Sequence, residues 1–293
     1  MIRLLATDLD GTLFYPKKCI SGLSQRNKKF LLSFLDAKKD IIIASGRNTG
    51  MLHNLEKLLK HKLYFMGCNG SFYIDKNKKE VTNKKPLDPN LAAKFYLTIK
   101  DNYSLFCWFL LDDSDKVYYC FDENIPHYLR TVFKVGNFLN GFYREKMVAG
   151  EDALLDSLQH NVNYKIMPVF SFGKKKLDKT KETFLALNES FKDELTLALT
   201  DGSIEVTSKG VTKGQGLTDF CNAYKIDKND VIAIGDSYND VSMFKTFPHS
   251  FCMSHASDEV KKYANHIVDY EYQIQKYLDD ESLLKDDYIK NIA

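Results

Sequence analysis

Two carboxylates, Asp8 and Asp10, stand two residues apart at the end of the apolar run "IRLLAT", and Gly11 follows at once. In an extended chain alternate side chains share a face, so the pair repels unless a positive group sits between them. An apolar lead-in that favours a buried strand makes a bound cation the natural partner. Three other apolar runs end in polar groups: "DIIIA" in Ser45, Gly46 and Arg47; "LYFMG" in Asn69 and Gly70 after Cys68; and "VIAIG" in Asp236, with Asn239 and Asp240 within a turn. Hard oxygen donors without nearby histidines or thiolates select Mg2+ over zinc or copper. Asp8 and Asp236 are the natural carboxylate ligands, and Asp240 can hold a metal-bound water or orient a ligand. Mg2+ commonly joins substrate phosphates, which makes a phosphorylated small molecule the expected substrate. Lys213, opening a helix after "SKGVT", supplies the positive charge that phosphate oxygens need.

The elements that must gather these residues come from both ends of the chain. "IRLLAT", an amphipathic stretch "SQRNKKFLLSFLDAKK", "DIIIAS", a helix around "GMLHNLEKLL" and "LYFMG" alternate strand and helix. The rhythm resumes after residue 209 with helix "KGQGLTDFCNAYK", strand "DVIAIG", helix "DVSMFKTF", strand "SFCM", helix "SDEVKKYA" and strand "HIVD". Near-continuous apolar strands alternating with helices indicate a parallel sheet covered on both faces, and such sheets collect ligands beyond the carboxyl ends of their strands. Between the two parts the pattern changes to a helix at Pro89–Asp101, a hairpin "SLFCWFLLDD"/"KVYYCFD", two shorter helix and strand units, a helix near 176–194, and a hairpin "LTLALTDGSIEVTS" turning at Asp201-Gly202. The expected fold class is α/β: a Rossmann-like, doubly wound parallel-sheet core of residues 1–83 and 209–293, with residues 84–208 an inserted α+β domain.

Bulk composition bounds the rest. The chain has 293 residues, 44% hydrophobic and 13% aromatic, enough to bury a full interior and to exclude disorder. A net charge of +2 provides no global field for nucleic acid or a membrane surface. The lysine runs at Lys76–Lys79 and Lys174–Lys176 read as solvated loops. Six scattered cysteines (Cys19, Cys68, Cys107, Cys120, Cys221, Cys252) without a C-x-x-C pair read as free thiols in a reducing compartment. Asp8 comes too early for a signal peptide, and "LFCWFLL" is too short to cross a bilayer, so the expected location is cytoplasmic. No sequence feature specifies an oligomeric state.

A carboxylate at a strand end is ordinarily a turn residue or helix cap. The string D-x-D-G-T, however, arises by chance only on the order of once in several hundred sequences of this length. Together "DLDGT" (Asp8–Thr12), "ASGR" (Ala44–Arg47), "GVTKG" (Gly210–Gly214) and "GDSYNDVSMF" (Gly235–Phe244) resemble, in order and spacing, the four motifs of the haloacid dehalogenase superfamily in its Cof-type branch, class IIB with a C2-type cap. "CNGS" (Cys68–Ser71) is similar to that branch's Asn-Gly loop, and the inserted domain resembles its cap. By that resemblance Asp8 is a nucleophile forming an aspartyl-phosphate and Asp10 the general acid and base. Mg2+ would be held by Asp8, the Asp10 carbonyl and Asp236. Ser45, Gly46, Lys213 and Asn239 would bind phosphate, with Thr12, Arg47, Asn69 and Asp240 in supporting or substrate roles. Two departures touch only the lip of the site: Ser71 where alanine is common, and the absence of a glycine in "DYEYQIQKYL". The implied activity is Mg2+-dependent hydrolysis of sugar phosphates or phosphorylated cofactors under a closing cap. The alternatives are a sugar phosphomutase and a catalytically silent regulatory binding protein.

Overall fold

The apolar runs of the flanking segments pair into one eight-stranded sheet. Its spatial order is His266–Val268, His249–Met253, Val231–Gly235, Leu4–Thr7, Asp40–Ala44, Tyr64–Gly67, Phe72–Ile74, Val81–Thr82. The first six strands are parallel and the last two antiparallel. The computed structural model describes residues 1–16, 22–78, 80–113, 116–139, 146–170, 177–200 and 202–284. Cys19, Lys79, Lys174–Lys176 and Asp201 lie outside the described residues.

The chain forms two compact units, one of Met1–Gly46, Leu52–Asn83 and Thr212–Ala293, the other of Arg47–Met51 and Lys84–Val211. In the first, Leu4, Ala6, Ile42, Ala44 and Ala233 pack on one sheet face against Leu217, Phe220 and Cys221 of helix Lys213–Tyr224. The intervening Leu5, Ile41, Ile43, Ile232 and Ile234 are equally buried, which is why these strands read as continuous apolar runs. Helices Gln25–Asp36 and Lys213–Tyr224 begin where short polar side chains satisfy their first N–H groups: Ser24 accepts from Asn27 N at 3.1 Å, and Thr212 from Gln215 N at 3.1 Å. The edge hairpin Phe72–Ile74/Val81–Thr82 is an addition to the sequence reading; strands of three and two residues carry too little alternation to be recognised.

From Leu4–Thr7 the chain winds outward through Asp40–Ala44 and Tyr64–Gly67, then re-enters on the opposite side through Val231–Gly235. The winding reverses between these two central strands, with Thr7 in register with Ile234. A crevice opens beyond the carboxyl ends of strands at such a reversal, and Asp8 and Asp236 are the residues that emerge there.

The second unit is α+β. Its sheet runs Leu195–Thr200, Ser203–Ser208, Asn163–Val169, Cys107–Asp112, Lys116–Phe121, Lys146–Ala149, antiparallel except for the last pair. Trp108, Leu110, Ile166, Ile204 and Val206 form a core with Phe95 and Tyr96 of helix Pro89–Asn102, Leu154 and Leu158 of Glu151–His160, and Leu187 and Phe191 of Leu177–Phe191. Arg47–Met51, which the sequence reading kept with the flanking segments, groups with this unit, where Asn48 Nδ2 donates to the Lys116 carbonyl at 3.5 Å.

Candidate active site

Asp8 enters the crevice at the end of the central strand, its N–H donating to the Ile234 carbonyl at 3.1 Å. Its Oδ1 accepts from the Lys213 ammonium at 2.7 Å. The same ammonium donates to Asp240 Oδ1 at 2.6 Å, and both of those side chains are wholly buried. The remaining oxygen of Asp240 accepts from the backbone N–H groups of Asp236 and Ser237, at 3.0 and 2.9 Å. Asp240 is therefore engaged on both oxygens, and what it does is fix the turn that carries Asp236 and anchor Lys213. Thr212 caps the helix so that Lys213 is its first residue. A cation at a helix N-terminus opposes the helix dipole, and here two carboxylates offset that cost.

Oxygens of Asp8, Asp236 and Asp240 lie within 4.8 Å of one another. Sequence reasoning set Asp8 and Asp10 side by side on one strand face, and the structure places both beyond the strand. The strand ends at Thr7, and the chain turns through Asp10 (φ −80°, ψ 118°) and Gly11 (φ 85°), so strand alternation no longer applies. The positive group beside Asp8 is Lys213, and the third clustered carboxylate is Asp240 rather than Asp10. Gly11 has both a left-handed backbone and no room for a side chain, since a Cβ there would fall 2.3 Å from Asp236 Oδ2.

Burial pushes the Asp8 carboxyl well above the usual carboxylate range; Lys213 opposes this, and Asp240, Asp236 and Asp10 add to it. Asp240 is raised by burial in the same way, with Lys213 again opposing. Burial alone would lower Lys213, yet Asp240 and Asp8 hold its proton above the ordinary lysine range, so it stays charged. The donor set is one of hard oxygens carrying more negative charge than one ammonium neutralises, and a small divalent cation fits it.

The other expected residues are placed as follows. Thr12 Oγ1 donates to Asp236 Oδ1 at 3.1 Å. Buried Ser45 donates its N–H to the Met66 carbonyl at 2.9 Å and accepts from Asn69 N–H at 3.0 Å through its own carbonyl. Asn69 has a left-handed backbone (φ 59°, ψ 30°), and its Oδ1 accepts from Asn239 Nδ2 at 3.3 Å. Ser45, Asn69 and Asn239, from three separate strand ends, are thus tied together. Gly46 closes the segment of the first unit that holds Ser45, and Arg47 belongs to the second unit.

The model of the haloacid dehalogenase-like hydrolase family matches residues 5–275. The chain belongs to this family. Within the haloacid dehalogenase-like hydrolases its relatives include the pyridoxal phosphate phosphatase YbhA of Escherichia coli K12, 24% identical over 272 residues spanning 91% of this chain and 93% of that protein. The 5-amino-6-(5-phospho-D-ribitylamino)uracil phosphatase YcsE of Bacillus subtilis 168 is 26% identical over 272 residues, spanning 92% of this chain and 90% of the relative. A haloacid dehalogenase-like hydrolase from Bacteroides thetaiotaomicron has the same fold, with a TM-score of 0.71 at 23% identity over 95% of this chain and all 100% of that one.

Two residues of this hydrolase escaped the sequence reading. His255, in the turn after His249–Met253, places Nε2 3.5 Å from Asp236 Oδ2, so a histidine does stand beside the acidic cluster. It could have been found by applying the strand-end rule to "SFCM" as well. Glu271 is fully buried, and among the described residues neither of its carboxylate oxygens has a hydrogen-bond partner; nothing in a one-dimensional pattern marks such a residue.

Proposed function

We propose that this haloacid dehalogenase-type phosphatase is Mg2+-dependent and hydrolyses small phosphomonoesters, sugar phosphates or phosphorylated cofactors, through an aspartyl-phosphate on Asp8. The observation that carries the reading is the buried Lys213 ammonium between Asp8 and Asp240, with Asp236 alongside. The relatives' names, which refer to phosphate esters of ring-bearing metabolites, agree with it.

Asp8, Asp236 and the Asp10 carbonyl are the groups that would hold the metal. When bound, Mg2+ neutralises charge on the phosphoryl oxygens and on the attacking carboxylate. Lys213 masks part of the Asp8 charge, so that a carboxylate oxygen can approach an anionic phosphorus. In the first step Asp8 forms the new O–P bond while the bond to the leaving oxygen breaks, and Asp10 gives its proton to that oxygen. In the second, Asp10 takes a proton from the attacking water, the Asp8–phosphorus bond breaks, and inorganic phosphate departs. Ser45, Gly46 and Asn239, aligned through Asn69, hydrogen-bond the phosphoryl oxygens as charge spreads over them. Thr12 and Asp240 keep Asp236 and Lys213 in place.

Colorimetric phosphate release from an aryl phosphate tests the reading. Wild-type protein releases phosphate with Mg2+ and stops with excess EDTA, and Asp8→Asn is silent under both conditions. Undiminished turnover by Asp8→Asn would refute it. A panel of phosphorylated metabolites then ranks the natural leaving groups by kcat/KM.

A further inference from the structure

Asp236 is held from several sides, and one of the holders has no part in the reading above. Thr12 Oγ1 reaches its Oδ1 at 3.1 Å, the backbone of Gly11 lies against its Oδ2, and its own N–H is taken by Asp240 Oδ2 at 3.0 Å. A further neighbour is His255, whose Nε2 stands 3.5 Å from Oδ2. The strand that delivers His255 is next in the sheet to the one that delivers Asp236, so their carboxyl ends bring the two residues together.

The imidazole is itself fixed. It stacks on the Tyr15 ring with centroids 4.1 Å apart and planes at 22°. Tyr15 leans on Tyr270 at 5.9 Å, and Tyr270 stacks on Tyr272 at 5.4 Å and 15°. Arg26 Nη1 donates to the Tyr272 hydroxyl at 3.0 Å and closes the column. A histidine side chain 31% open to solvent would otherwise sample several rotamers, and ordering it costs entropy that the stack has already offset.

We propose that His255 is a positioning residue for Asp236: an Nε2–H donor, its plane set by Tyr15, engages Oδ2 and keeps the carboxylate turned toward Asp8 for a divalent cation. The inference rests on Asp236 being a metal ligand. Carboxylates that ligate metals are themselves held by hydrogen bonds, and loss of such a partner weakens metal affinity by about 10–100-fold. His255 lies outside all four sequence motifs, so this support comes from the tertiary arrangement of this chain.

The test is Mn2+ binding to the metal-stripped full-length protein, read by electron paramagnetic resonance of the free ion, which is independent of turnover. His255→Phe keeps a ring for the stack and removes the donor, and its Mn2+ dissociation constant rises at least ~10-fold. His255→Gln places an amide N–H near the Nε2 position and stays within about threefold of wild type. Tyr15→Ala frees the imidazole without altering it and weakens Mn2+ in the same direction, whereas Tyr15→Phe does not; misfolding of one variant leaves the other pair to decide. Equal Mn2+ affinity in wild type and folded His255→Phe, or in wild type and Tyr15→Ala, overturns the proposal. Absence in the wild type of any Mn2+ binding that Asp236→Asn abolishes overturns the metal reading itself, and this inference with it.

Discussion

The Lys213 ammonium lies 2.7 Å from Asp8 Oδ1, an ion pair between residues 205 apart in the chain and almost entirely removed from water. Removing one partner of a buried pair leaves an uncompensated charge, which costs about 3–5 kcal/mol. Lys213→Met therefore lowers the free energy of unfolding in urea by that amount in EDTA. Mg2+ restores part of the loss, because it faces the same carboxylates, but turnover stays down by at least about 10²-fold. Unfolding curves superimposable on wild type in EDTA would contradict the arrangement.

Helix Lys213–Tyr224 lies so close to its neighbour that a Cβ on Gly214 would fall 2.2 Å from the Ser242 carbonyl oxygen. Backbone cannot yield as a side chain does, so Gly214→Ala displaces the helix start. The expected cost is ~1–3 kcal/mol of stability. Because Lys213 is the adjacent residue, kcat falls as well, and thermal unfolding with steady-state kinetics on the same preparation reads both effects.

Asn69 does two separable things: its left-handed backbone shapes the loop, and its amide holds Asn239. Asn69→Gly removes only the second, and kcat/KM falls by roughly tenfold with little change in stability. Asn69→Ala loses the same activity and a further ~1 kcal/mol, because an alanine strains the left-handed region. Equal stabilities of the two variants would show that the backbone conformation carries no weight.

Burial pushes the Glu271 carboxyl up to about 8. Its proton is held more tightly in the folded than in the unfolded chain, so its contribution is fully present below the unfolded value and disappears as pH rises to the folded one. Stability falls by on the order of 4 kcal/mol from this group between about pH 4.5 and 8. Glu271→Gln is neutral throughout; its advantage over wild type in urea grows across that window and levels off above it. Parallel stability profiles from pH 5 to 9 would rule out a buried, proton-bearing Glu271.

Much of this was legible in one dimension. Continuous apolar runs announced strands covered on both faces, because a strand buried on both sides has no polar alternation. Polar residues at the ends of those runs pointed to Asp8, Ser45, Asn69 and Asp236, since a doubly wound sheet gathers its carboxyl ends at one edge. Hairpin signals in residues 84–208 set that segment apart as antiparallel, and the parallel pairing there of Lys116–Phe121 with Lys146–Ala149 has no local signature.

The amino-acid sequence by itself determined which residue types stand at strand ends and which faces are apolar, because periodicity and turn chemistry act over a few neighbours. Only the tertiary structure decided that Lys213 serves both Asp8 and Asp240, that the strand stops before Asp8 and Asp10, that His255 rests on Tyr15 beside Asp236, and that Glu271 finds no hydrogen-bond partner among the described residues. The physical reason is range. Each of these pairings or omissions depends on where a distant segment returns to the same edge, and the energy of a buried charge depends on everything that surrounds it in space.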